Sequence, residues 1–287
     1  MSTDHPIVIE VPEGTKHTLT NLKCAPEWTK YPSVGVKKKT YRKSKHYPTY
    51  EACLASLFEW HTETLNAWTV LAHGAIHVAF FFFFLASRKL EGIDLAFFLT
   101  HTVVVAAHAL LAAGYHLFNP ISVETHLLWR RLDGFGAYAS FTATAALLGY
   151  YAFPAEAFFS VLAFSLLVQI VAYGEMICLW TPPTYINKYR HAVWWKMVLA
   201  GLPQAVVLLY VGVSDVIEKK SVLLPVLAFL IIFFQVVGEE VYRRGFPERF
   251  VKGFGFPAGH VLMHVCILIC DALLLIFAIA LRDRRRT

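Results

Sequence analysis

The feature that most constrains this chain is a series of seven apolar stretches, at about 67–86, 94–118, 134–153, 155–175, 194–214, 221–240 and 258–281. Each is long enough to cross the hydrocarbon core of a bilayer, which takes about 20 residues of helix. Inside lipid every backbone N–H and C=O must be satisfied within the protein, so helices are the natural form. The short alternating strands of a membrane β-barrel have a different signature, and none is present. No strong internal repeat divides the chain. The expected fold is all-α, a seven-transmembrane helix bundle over residues 67–281.

Composition points the same way. Of the 287 residues, 57% are hydrophobic and only 16% are charged, whereas soluble domains carry about a quarter charged. Aromatic residues reach 15%, which suits lipid-facing packing and interfacial belts. A net charge of +6 on a soluble chain would suggest nucleic acid. On a membrane chain it marks cytoplasmic loops and contact with anionic lipid. Membrane lipids are therefore the expected partners, and nucleic acid is not. The five cysteines, Cys24, Cys53, Cys178, Cys266 and Cys270, show no CxxC spacing and no disulfide framework. Cys266 and Cys270 read as small buried hydrophobes.

The flanks are polar. Residues 1–47 read as a disordered basic cytosolic tail, with Lys37, Lys38 and Lys39 followed by Arg42, Lys43 and Lys45. This run is either a solvated tail or a binder of lipid headgroups. No cleavable signal peptide opens the sequence, so the first span is expected to insert by itself. Residues 48–66 place Tyr50, Leu54, Leu57, Phe58 and Leu65 near helical spacing, which predicts an amphipathic helix at the interface. Residues 282–287 read as a short basic C-terminal tail. With the N-terminus inside, the inner segments carry eighteen Lys and Arg and the outer segments eight. The positive-inside rule then predicts a cytosolic N-terminus and an outer or lumenal C-terminus, in the plasma membrane or an internal one. The basic C-terminus is the dissenting feature.

Ionisable groups inside a membrane are costly and point to function. His260 and His264, in GHVLMH at the start of the seventh stretch, stand at i and i+4 on one helix face. A helix offers two ligands to one metal in this way. His116 ends the second stretch and Asp133 begins the third. The parity of the spans brings the second stretch's end and the starts of the third and seventh to one side of the membrane. His116, His260, His264 and Asp133 therefore share one depth. Three histidines suit a zinc site with an open fourth position for water, as in hydrolytic zinc enzymes. Asp133 would hold or deprotonate that water. The competing reading is a zinc that only pins two helices together.

Other polar residues read as structural. His73 and His77 share a face without an evident third partner and read as glue between helices. His101 and His108 read likewise. Asp271 lies two turns beyond His264, placed to anchor a hydrogen-bond network or a polar group of a ligand. Glu175, Glu239 and Glu240 fall near span ends and His126 in a short loop, all expected to be solvated.

Five segments in order, ETLNAWTVL at 63–71, YHLF at 115–118, LDGFGAY at 132–138, FPER at 246–249 and GHVLMH at 259–264, carry a resemblance. Across residues 48–281 the chain resembles the progestin and adipoQ receptor (PAQR) family, which includes adiponectin receptors and haemolysin III-type proteins. The resemblance implies seven helices, a cytosolic N-terminus, an outer C-terminus and Zn2+ held by three histidines near the cytosolic face. Those positions correspond to His116, His260 and His264, with the family's aspartate at Asp133. It also implies kinship with alkaline ceramidases. The superfamily often carries Ser four residues before the span-two histidine, where this chain has Ala112. That change removes a hydroxyl from the reacting centre and leaves the metal ligands intact.

Two functions are thus in contention. One is a zinc-dependent amidohydrolase acting on a ceramide-like lipid, with sphingolipid or fatty acid held in the bundle. The other is a receptor or sensor that binds an extracellular ligand without turnover, its zinc structural, a reading that Ala112 favours. A haem or proton-conducting protein built on the mid-membrane histidines is a third and lesser reading.

Overall fold

The computed structural model describes residues 47–179, 190–218, 220–247, 250–251 and 257–286, without the side chains of Val123, 175–179 and 190–196. The basic tail up to residue 46, Glu248 and Arg249 of FPER, and the side chain of Glu175 lie outside the described residues. What is described is all-α, with no strand. A short helix α1 (Tyr50–Ala55) precedes seven long ones: α2 (Thr64–Arg88), α3 (Gly92–Phe118), α4 (Val123–Ala152), α5 (Ala155–Leu179), α6 (Arg190–Ile217), α7 (Leu223–Arg244) and α8 (Ala258–Arg286).

Each long helix packs on the next, and α8 returns to α2, so the seven close a ring. Helix α4 also touches α6 and α8 across the middle. This placement explains its sequence. Six long helices are long and apolar enough to cross a membrane, and α4 is the exception. It carries Arg130, Arg131, Asp133, Ser140, Thr142 and Thr144. From residue 124 to 152 only Glu124, Leu128 and Phe135 are exposed. A helix that faces other helices can be polar where one that faces lipid cannot.

The other helices are apolar outside and polar inside. Leu110, Ile170 and Phe229 are 64%, 68% and 66% exposed, while His77, His101 and His116 are at most 2% exposed. So much exposed apolar surface is tolerated only in lipid, and the chain is a multi-pass membrane protein. The apolar core fills one end of the ring, around Phe98, Leu147, Leu208, Ile231, Leu275 and Phe277. The opposite end, where α2, α4 and α8 begin and α3 and α7 finish, holds the polar side chains described below.

Helix ends follow local chemistry. Ser122 accepts the Thr125 N–H at 3.0 Å and starts α4. Gly245, at φ 62°, ends α7. Its N–H bonds Tyr242 O at 3.1 Å and the Phe246 N–H bonds Val241 O at 3.0 Å, a Schellman cap. Small residues let α3 and α4 approach closely. A Cβ at Gly114 would overlap the Trp129 ring, and one at Gly136 would lie 3.0 Å from the His108 Cα.

Two segments differ in detail from the sequence expectation. The amphipathic segment 48–66 is helical only over Tyr50–Ala55, with a tight 3-10 turn over Ser56–Phe58, and α2 already begins at Thr64. Polar side chains make the break. Thr64 Oγ1 donates to Glu59 O at 2.6 Å and accepts the His61 N–H at 2.9 Å. The apolar residues nevertheless face outward, with Leu54, Phe58 and Trp60 exposed. At the other terminus α8 continues through Arg286, because its arginines find partners. Arg282 donates to Asp94 at 2.5 Å, as does Arg286. Arg284 pairs with Asp215, and the Arg285 guanidinium lies 4.7 Å from the Tyr150 ring centre.

Candidate metal centre

Where α3 ends and α8 begins, His116, His260 and His264 come together. One ligand atom from each lies within 4.8 Å of the others. All three side chains are buried, at 1%, 6% and 7% exposure. Ring centres are 4.9 Å apart for His116 and His260, 5.2 Å for His116 and His264, and 4.6 Å for His260 and His264. The last pair follows from the i, i+4 spacing on α8. His116 joins them because α3 runs antiparallel to α8 and ends at the same level. The Tyr242 ring of α7 packs on His260 at 4.7 Å.

Hydrogen bonds fix two of the imidazoles. His116 Nδ1 lies 2.9 Å from Glu63 Oε2. A carboxylate only accepts, so Nδ1 carries the proton and Nε2 keeps its lone pair. Asn66 Nδ2 donates to the same Glu63 oxygen at 2.9 Å. Thr69 Oγ1 lies 3.0 Å from His264 Nδ1, and its own proton goes to Leu65 O at 2.7 Å or Asn66 O at 3.0 Å. The hydroxyl therefore accepts from His264 Nδ1–H, and His264 Nε2 is also left with its lone pair. Ligating histidines are held in this way by outer hydrogen bonds. A buried group of three imidazoles, two of them so committed, fits a metal ion.

Asp133 lies outside this cluster of mutually close ligand atoms. Its Oδ1 is 3.5 Å from His108 Nε2, and the two side chains are 29% and 20% exposed. Three of the histidines read as helix glue, His73, His101 and His108, do bridge helices. His101 Nε2 meets Thr144 Oγ1 of α4 at 3.0 Å, and Ser140 Oγ approaches His108 Nδ1 at 3.4 Å. His73 meets Asp271 of α8 at 2.7 Å, so Asp271 anchors a hydrogen bond at mid-bundle. Glu240 takes hydrogen bonds from Arg243 and Arg244, both at 2.7 Å, at the end of α7. His126 is not solvated. It is fully buried against the Tyr115 ring at 5.5 Å, because α4 starts before it at Val123. Among the described side chains Cys266 and Cys270 are free thiols.

Glu63, Asn66 and Thr69 were assigned no role from the sequence. All three lie in ETLNAWTVL, and their i, i+3 and i+6 spacing was the available signal. Their function depends on α2 packing against α8 and α3, which spacing alone does not state.

An uncharacterized protein of Schizosaccharomyces pombe is 23% identical over 273 residues, covering 89% of this chain. The chain spans 58% of the length of that relative. The haemolysin-III related family matches residues 58–275, a stretch that runs from the turn before α2 into α8 and includes all three clustered histidines. The chain belongs to the haemolysin-III related family.

Proposed function

We propose that this protein binds zinc at His116, His260 and His264 and hydrolyses an amide bond of a ceramide-like membrane lipid. The observation that supports this best is the composition of the cluster: three buried imidazoles and, among the described residues, no fourth protein ligand. Zinc with three histidines and an open position supplies Lewis acidity and an acidified water. The chain's own residues do the rest. Glu63 and Thr69 hold His116 and His264 in the tautomer that offers Nε2. Asp133, accessible and steadied by His108, takes the proton of the attacking water and returns it to the leaving amine. Water adds to the carbonyl, the C–N bond breaks, and a fatty acid and an amine leave. The apolar helices on either side accommodate the acyl chain.

In this reading all seven long helices span the membrane, with the N-terminus cytosolic and the zinc near the cytosolic face. The basic C-terminus dissents from that orientation, but its arginines are engaged within the bundle: Arg282 and Arg286 both contact Asp94, and Arg284 contacts Asp215.

A second reading is a sensor in which zinc only fixes the bundle and an extracellular ligand is read. One observation favours it: Ala112 is buried against Val70 and Ala113, so that position supplies no hydroxyl. Zinc-loaded protein assayed for fatty-acid release from ceramides by mass spectrometry, beside His260→Ala, separates the two. Release by the wild type alone supports the hydrolase. Full zinc occupancy with no release from any sphingolipid leaves the sensor.

A further inference from the structure

The middle of the bundle holds a second group of ligand atoms. His73 and His77 of α2 and Asp271 of α8 each offer one, all within 4.8 Å of one another. They are separate from the first cluster. His73 follows Thr69 by one helical turn and Asp271 follows His264 by two, a step of about 6–10 Å along the axis.

As helix glue this group is over-provided. The bond from His73 Nε2 to Asp271 Oδ2, at 2.7 Å, would by itself join α2 to α8, at about 0.6–2 kcal/mol for polar bonds between membrane helices. It leaves other polar atoms unaccounted for. His77 is 2% exposed and its Nε2 has no hydrogen-bond partner. His101 of α3 is 1% exposed, and its ring centre is 5.1 Å from that of His77. His101 Nε2 gives its proton to Thr144 Oγ1, whose own proton goes to Ser140 O at 2.9 Å. His101 Nδ1 is then a lone pair, buried and without a partner. Unmade hydrogen bonds at buried atoms are expensive. Here both belong to imidazoles beside a carboxylate in an apolar interior.

We propose that His73, His77 and Asp271 form a second binding site for a divalent transition-metal ion, with His101 as the adjacent further donor. Two imidazoles and a carboxylate are a borderline donor set, suited to zinc, cobalt(II) or iron(II) rather than calcium or magnesium. The ion also supplies the positive charge that a part-buried carboxylate among neutral imidazoles lacks. Two ligands on a tetrahedral ion at about 2.0–2.1 Å stand about 3.3 Å apart. His73 and Asp271 therefore open slightly from 2.7 Å, and the proton between them is released as the ion enters. The site does not depend on the proposed zinc at the first cluster.

The test is metal stoichiometry by mass spectrometry on purified full-length protein, equilibrated with zinc or cobalt(II) and then desalted. The variants are His264→Ala, His77→Ala and the near-isosteric Asp271→Asn. Two equivalents in the wild type, and one in each variant, is the expected result. The equivalent kept by His77→Ala also shows that this variant is folded. If the wild type holds one equivalent that only His264→Ala removes, the second site is overturned and the first stands. One equivalent removed by His77→Ala and Asp271→Asn but kept by His264→Ala upholds the second site and overturns the first. Two equivalents retained by both His77→Ala and Asp271→Asn overturn the proposal.

Discussion

Glu63 and His116, 53 residues apart in sequence, share a buried 2.9 Å hydrogen bond that orients the imidazole toward His260 and His264. The carboxylate both fixes the tautomer and raises the basicity of Nε2, the nitrogen proposed to bind the metal. Glu63→Gln keeps an acceptor and loses the charge. Zinc affinity is expected to fall by roughly 10–100-fold, measured by competition with a chromophoric chelator. Unchanged affinity would show that the bond has no bearing on metal binding.

Thr69 acts on His264 by accepting its Nδ1 proton. Thr69→Ser keeps that acceptor and is expected to match the wild type in zinc affinity. Thr69→Val has nearly the same volume without it, and should bind zinc at least several-fold more weakly, within the roughly 10–100-fold range of outer-shell changes. The same chelator competition reads both variants, and equal affinities for Val and Ser would contradict the assignment.

Gly114 lies two residues before His116, where α3 meets the Trp129 ring of α4. Gly114→Ala places a methyl group inside that ring's volume. Overpacking of this kind costs about 1–3 kcal/mol. A lower midpoint of thermal unfolding in detergent is expected, together with reduced zinc content, because the α3 terminus that carries His116 must shift. An unfolding midpoint equal to the wild type would show that the two helices yield easily.

At the opposite end of the bundle Asp94 accepts from Arg282 at 2.5 Å and from Tyr151 at 2.7 Å, and both acid and guanidinium are nearly inaccessible. Breaking such a buried pair from one side costs about 3–5 kcal/mol. Asp94→Ala should therefore lower the unfolding midpoint more than Gly114→Ala does. Its folded fraction, isolated at low temperature, should keep the metal ion proposed at His116, His260 and His264, since the two sites occupy opposite ends. Loss of zinc with retained stability would invert this account.

Much of this protein was legible in its sequence. Apolar length predicted membrane helices, because a bilayer admits little else and each span is decided within one segment. Parity placed His116, His260 and His264 at one level, because alternating spans leave a residue only two possible ends. The tertiary structure decided what depends on lateral packing. It packed polar α4 against α3, α5, α6 and α8, brought Glu63 and Thr69 behind the histidines, and set Asp271 of α8 against His73 of α2. Periodicity gives the face of each helix but not the neighbour that face meets. His126 is the plain case: its short polar surroundings read as a loop, and only the start of α4 at Val123 buries it.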